Sequence, residues 1–193
     1  MLKTILRIET IEKCLEVLNK GGVILYPTDT IWGLGCDATN AEAIEKIYSI
    51  KNRPAEKSMI VLVNDDNMLY KYVKKIPDLA WDILDNTEKP TTIIYDEVIG
   101  LPDVLLATDK SCGIRICKDD FCNELIKRFK KPIVSTSANL SGLPSPQNFS
   151  DIREEVKIKA DYIVTLRQNE IVKSVASTVI KLSNNGEIKI VRK

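Results

Sequence analysis

The chain has 193 residues, 44% of them hydrophobic and 28% charged, a mixture that supports a folded core and excludes a disordered tail, a fibrous rod or a collagen-like repeat. Lys and Arg (28) nearly balance Asp and Glu (27), so the net charge of +1 gives no whole-molecule attraction to nucleic acid or anionic lipid. Histidine is absent, which excludes Ser-His-Asp and Cys-His nucleophile pairs, His-ligated zinc and imidazole proton shuttling.

The first residues, MLKTILRIETIEK, are too short and too charged for a secretory signal. No apolar run approaches the roughly eighteen residues that span a bilayer, so a cytoplasmic protein without membrane contact is expected. Ile11, Cys14, Leu15 and Leu18 recur at helical spacing, and Gly21-Gly22 supplies the stop. Residues 23–26 (VILY) read as a buried strand ending at Pro27. Thr39 and Glu42 have capping-box spacing, which predicts a helix from near Asn40 through Ile44, Ile47 and Tyr48. A strand is expected over 58–63 (SMIVLV), and a helix from Pro77 with Leu79, Ala80, Ile83 and Leu84 inside. Strands over 91–95 and 112–117 follow, then a helix marked by Cys122, Leu125, Ile126 and Phe129, then a strand over 132–136. Residues 177–182 and 187–191 flank Asn184-Asn185-Gly186, a hairpin signal that predicts a type I′ turn. Strands alternate with helices but end in a hairpin, which points to one α/β domain over 1–193 with a mixed sheet covered by helices.

Cys14, Cys36, Cys112, Cys117 and Cys122 contain no Cys-x-x-Cys pair, so reduced, half-buried thiols are expected and no metal site. Four polar segments carry the chemistry-bearing residues. Residues 27–38 (PTDTIWGLGCDA) place hydroxyls, a carboxylate and Gly33-x-Gly35 after a strand, suited to a small polar ligand or to an ordinary capped turn. Residues 51–58 (KNRPAEKS) bring Lys51, Arg53 and Lys57 together, a match for a polyphosphate or a solvated basic loop; no Walker-type P-loop occurs. Arg115, flanked by Gly113, Ile114 and Ile116, calls for a ligand carboxylate or an internal salt bridge. Residues 135–146 (STSANLSGLPSP) offer Ser135, Thr136, Ser137, Asn139, Ser141 and Ser145, suited to phosphate, ribose or a purine edge.

The order PTDTIWGLG, KNRP with Lys57, GIRI, STSANLSG and AST resembles the YrdC-like family of threonylcarbamoyl-AMP synthases over roughly residues 5–192. The resemblance implies a twisted mixed sheet with helices around an open ligand cavity. It implies a nucleotidyltransferase that joins L-threonine, bicarbonate and ATP, with Mg²⁺, into threonylcarbamoyl-adenylate and releases pyrophosphate. The product would pass to a transferase complex acting on adenosine 37 of transfer RNA, with direct RNA contact left open. By similarity, Thr28, Arg115, Ser135 and Ser177 hold threonine, and Lys51 and Arg53 are catalytic. Lys51, Arg53, Lys57, Ser111, Ser137, Asn139, Ser145 and Arg192 bind ATP. Departures are Trp32 for the usual Tyr, Glu88-Lys89-Pro90-Thr91-Thr92 for Pro-Gly-Pro-x-Thr, and Leu62 where some relatives place a His. A non-catalytic RNA-binding relative and a carbamoyl transferase on other substrates are the alternative readings.

Overall fold

A computed structural model of the protein describes residues 2–52, 59–171 and 175–193. Helix α1 (Leu2–Asn19) buries Ile11, Cys14 and Leu18 against the core. It ends where Gly21 adopts φ 69° and the Gly22 N–H donates to the Val17 carbonyl at 2.9 Å. The remaining helices are α2 (Ala41–Lys51), α3 (Asp66–Tyr72), α4 (Asp78–Asp85), α5 (Asp120–Phe129) and the single turn α6 (Glu154–Lys157). The cap of α2 corrects the expected one: Asn40 Oδ1 accepts from the Ala43 N–H at 3.1 Å, whereas Thr39 Oγ1 is already committed to Asp37 at 2.6 Å.

Among the described residues nine strands form one sheet: β1 (Ile24–Tyr26), β2 (Gly33–Gly35), β3 (Ile60–Val63), β4 (Thr91–Tyr95), β5 (Cys112–Ile116), β6 (Ile133–Ser137), β7 (Tyr162–Ile163), β8 (Thr178–Leu182) and β9 (Ile188–Arg192). Their order is β7-β1-β2-β6-β3-β5-β4-β8-β9. The pairs β1/β7, β3/β5 and β4/β8 are parallel and the rest antiparallel, so the sheet is mixed as the alternation and terminal hairpin predict. Strand β2 corrects a loop expectation. The glycines of Gly33-Leu34-Gly35 let the segment slip between Tyr26 and β6, where an added Cβ on Gly35 would sit 2.6 Å from Tyr26 Cε1 and 2.8 Å from the Val134 carbonyl oxygen. Helix α3 and strand β7 are also additions to the sequence reading; each is short and carries little periodicity.

The β8–β9 hairpin forms, but its turn is not type I′. Gly186 has φ 87° and neither Asn184 nor Asn185 has positive φ. The Gly186 N–H donates to the Ser183 carbonyl at 2.9 Å and the Ser183 N–H to the Glu187 carbonyl at 3.0 Å. This is a three-residue loop with glycine in the left-handed position.

The pairing register decides which residues share a face. Gly33 lies opposite Ser137, Ser135 opposite Ile60, Leu62 opposite Arg115, Gly113 opposite Ile94, and Thr92 opposite Val179. Side chains alternate along a strand, so all of these stand on one face of the sheet. The other face carries Val61, Val63, Ile93, Tyr95 and Ile114, buried beneath α3 and α5. On β9, Ile190 pairs with Ile180 but Arg192 pairs with Val179, which leaves Val191 as the extra residue of a bulge. A regular ladder would turn residue 192 to the helix-covered face; the bulge turns it to the face of Arg115.

Among the described residues no helix is long and apolar enough to cross a membrane. All five cysteines are free and buried, and burial pushes the Cys14 and Cys112 thiols up to about 12. The tight seat of β2 predicts that Gly35→Ala lowers stability by about 1–3 kcal/mol, read by urea unfolding. An unchanged midpoint would mean that β2 relaxes freely.

Candidate active site

The face that carries Arg115 encloses a cavity of about 250 Å³. Thr30, Ile31 and Gly33 form one wall, Ser135, Thr136 and Ser137 a second, and Ala176, Ser177 and Arg192 a third, with Met59, Ile60, Ile94, Gly113, Arg115, Ser145 and Val179 completing the lining. Gly113 stands two residues before Arg115 and leaves the cavity floor open. A Cβ there would press on Thr92 Cγ2 at 3.2 Å.

Arg115 is 3% exposed. Its Nη1 donates to Thr30 Oγ1 at 3.3 Å and its Nη2 lies 3.0 Å from Asp29 Oδ1. That ion pair lacks hydrogen-bond alignment, because Asp29 Oδ1 has no hydrogen-bond partner among the described residues, and neither has Arg115 Nε. A buried guanidinium with an unused N–H beside a cavity is a ready fork for a ligand carboxylate. Burial drives the Asp29 carboxyl above the ordinary carboxylate range; Arg115 pulls it down, and Asp119 pushes it further up.

At the opposite wall the Arg192 guanidinium donates from Nε to the Ser177 carbonyl at 3.0 Å and from Nη2 to Ser177 Oγ at 3.3 Å. Ser177 Oγ and Thr92 Oγ1 are 2.8 Å apart. Burial, and then the charge of Arg115, hold Arg192 below its ordinary value. Two guanidiniums that feel each other across a cavity favour an anionic ligand between them.

The segment after β6 is pinned from below. Lys51 is 1% exposed at the end of α2, and its Nζ donates to the Ser137 carbonyl and, at 2.6 Å, to the Asn139 carbonyl. The Ser141 N–H returns to the Lys51 carbonyl at 2.8 Å. Asn139 Nδ2 spans to the carbonyls of Leu140 (3.0 Å) and Leu143 (2.6 Å), which rounds off the loop.

The structure therefore brings Arg115, Ser135, Ser137, Ser145, Ser177 and Arg192 into the lining of one cavity. Thr28, Ser111, Lys51 and Asn139 are not part of the lining. Thr28 sits behind Thr30 and shapes the turn: its Oγ1 accepts from the Thr30 N–H at 3.0 Å and donates to the Ile31 carbonyl at 2.9 Å. Ser111 Oγ donates to Asp109 Oδ1 at 2.5 Å at the start of β5. Arg53 and Lys57 lie outside the described residues. Sequence reasoning missed Asp29 and Thr30 as the partners of Arg115, although both stand inside the PTDT segment. It also missed Ile60, Ile94 and Val179, whose inward direction only the strand register reveals.

A second cavity of about 320 Å³ lies across the sheet, where Ile116 and Thr91 point. Its carboxylates Asp29, Asp66, Asp85, Glu88 and Asp119 outnumber Lys89 and Lys118, so its field repels a polyphosphate. Glu88, Lys89, Pro90 and Thr91 face this cavity, which separates them from the arginine-lined one.

Residues 16–193 match the Sua5/YciO/YrdC family, whose description reads "Telomere recombination". The chain belongs to that family. A threonylcarbamoyl-AMP synthase of Pseudoalteromonas translucida is 34% identical over 158 residues, covering 80% of this chain and 84% of the relative. One of Hahella chejuensis is 34% identical over 154 residues, covering 79% and 83%. A crystal structure of P. abyssi Sua5 complexed with L-threonine superposes with a TM-score of 0.81 at 28% identity over 89% of this chain. The chain spans 50% of the length of that Sua5 structure.

Two outcomes follow. Asp29→Asn takes the carboxylate away from the buried Arg115 guanidinium and lowers stability at pH 7 by about 1–3 kcal/mol. With a raised native pKa, wild type loses stability as pH climbs from the ordinary carboxylate range through the raised value, and the variant lacks that limb; a pH series of urea unfolding reads both. Lys51→Met strips two buried carbonyls of a donor and costs about 1–3 kcal/mol in the same assay, with no loss at all arguing against the pinned loop.

Proposed function

We infer that this chain is a threonylcarbamoyl-AMP synthase: it joins L-threonine, bicarbonate and ATP into threonylcarbamoyl-adenylate and releases pyrophosphate, as a nucleotidyltransferase. One observation carries the reading, the half-satisfied Arg115 in a cavity closed by Arg192, in a chain 34% identical to proteins of that name.

In this reading Arg115 takes the threonine carboxylate on its unused Nε–H, and Ser135 and Ser177 supply hydroxyls beside it. Thr28 acts one layer back by fixing the turn that carries Thr30. The threonine amine adds to the carbon of bicarbonate with loss of water, forming a carbamate. A carbamate oxygen then attacks the α-phosphorus of ATP, the bond from that phosphorus to the β-phosphate bridging oxygen breaks, and pyrophosphate leaves with the electron pair. No covalent enzyme intermediate is needed, in keeping with a chain that lacks histidine. The protein's task is to hold the reactants in line and to balance the charge on the departing pyrophosphate.

Arg192, Ser137 and Ser145, which line the cavity, are assigned to the nucleotide. Lys51, Arg53 and Lys57 are assigned to the phosphates, with Lys51 also holding the Ser137–Asn139 backbone that faces them. Ser111 and Asn139 support this end through the Asp109 and Leu143 contacts. Mg²⁺ is assigned to the substrate, carried on the ATP phosphates, where it would neutralise developing charge. The product would pass to a transfer-RNA threonylcarbamoyl transferase in the cytoplasm.

Pyrophosphate release, followed with each substrate withheld in turn, tests the reading: it requires ATP, threonine and bicarbonate together. Arg115→Gln raises the threonine KM about 10- to 100-fold, the scale of one charge-assisted hydrogen bond, with a smaller effect on ATP. Release that ignores threonine would refute the assignment.

A further inference from the structure

Thr28–Ile31 is a turn held from two sides. From the cavity side, Arg115 reaches Asp29 at 3.0 Å and Thr30 at 3.3 Å. From the far side, Arg167 Nη1 donates to the Thr28 carbonyl at 3.2 Å and to Asp119 Oδ2 at 2.9 Å, while its Nε donates to Glu170 Oε2 at 2.7 Å. Asp119 is itself fixed, since its Oδ1 caps α5 by accepting from the Cys122 N–H at 2.9 Å. Arg167 makes these contacts with φ 64°, the left-handed region that a residue with a Cβ occupies at a cost. A strained backbone held by three polar contacts marks a position that the surroundings over-determine.

We propose that Arg167 is a positioning residue for the amino-acid end of the cavity, gripping the Thr28–Ile31 turn from behind so that it stays in place when a ligand carboxylate takes Arg115. The need follows from the geometry. A carboxylate on the Arg115 Nε–H shares the guanidinium charge with Asp29, whose own pairing is poorly aligned, so the turn's front anchor weakens when the ligand arrives. Its back anchor does not involve the cavity at all: Arg167 binds a main-chain carbonyl and the α5 cap, neither of which a ligand on Arg115 touches. Arg167 also pairs with Asp119, whose charge bears on Asp29, and so limits the repulsion between the two carboxylates once Arg115 turns to the ligand. The substrate named for this site rests on the synthase reading above; the grip itself does not.

The test compares Arg167→Gly, Arg167→Ala and Arg167→Lys with wild type. Glycine is the informative change, because it relieves the strained φ while removing every side-chain contact. Amide hydrogen exchange reads the grip without any substrate: in Arg167→Gly the amides of residues 28–31 exchange at least about tenfold faster, while those of β5 keep their wild-type rates. Initial rates read its use: the threonine KM rises about tenfold in the glycine and alanine variants, the ATP KM stays within about twofold, and the lysine variant recovers part of the loss. Unchanged exchange at 28–31 overturns the grip. Faster exchange with equal KM changes for threonine and ATP overturns its tie to the amino-acid end. Wild type that shows no threonine-dependent turnover sinks the synthase reading, while the exchange data still decide whether Arg167 holds the turn.

Discussion

A guanidinium withdrawn from water on a central strand must be met by acceptors, and Arg115 is met on only two of its three nitrogens. Its neighbours make sense around that deficit. Gly113 clears the floor beside it, Thr30 offers a hydroxyl, and Asp29 offers a carboxylate that is close in space but poorly aligned. A fully matched internal salt bridge would have made the cavity inert. A bare arginine would have destabilised the strand. The arrangement between these limits holds the charge in place and leaves the Nε–H for a ligand.

The rest of the site follows from how the sheet is assembled. The β6 segment runs between β2 and β3, which sets its hydroxyls facing Arg115. The β9 bulge brings Arg192 round to the same face, so the last strand of the sheet supplies the second cation. Lys51, buried at the end of α2, holds the Ser137 and Asn139 carbonyls and thereby ties the first half of the chain to the serine-bearing wall of the cavity. Positive charge is thus collected from distant parts of a nearly neutral chain, while the carboxylates gather across the sheet. The net charge of +1 hides this separation, because a sum over the molecule carries no information about which face each charge occupies.

Much of the architecture was legible before any coordinates. The apolar spacing of Ile11, Cys14 and Leu18, the run in residues 58–63 and the Cys122–Phe129 pattern all sit within elements of the expected type, with boundaries shifted by a residue or two. The failures have local causes. Thr39 looked like a cap because its spacing to Glu42 is right, but Asp37 takes its hydroxyl and Asn40 caps instead. Asn185-Gly186 signalled a tight turn, yet one more residue in the loop let glycine alone take the positive φ. Gly33-Leu34-Gly35 read as backbone able to come close to a ligand or as a capped turn; it is a strand, with Gly33 at the cavity and Gly35 packed tightly against Tyr26 and β6.

Composition and motif order by themselves determined that this is an α/β chain, that its chemistry cannot use imidazole, and that its polar segments come in the order of one family. Those properties are local: a residue's type, its periodicity and its neighbours in the chain are enough to read them. Only the tertiary structure decided that Thr28 acts through the turn while Thr30 faces the cavity, that Ile60, Ile94 and Val179 point inward, and that Arg167 reaches back to a turn 139 residues away. Direction and partnership depend on strand register and on the approach of segments far apart in sequence, and a one-residue shift in register reverses every side chain on a strand.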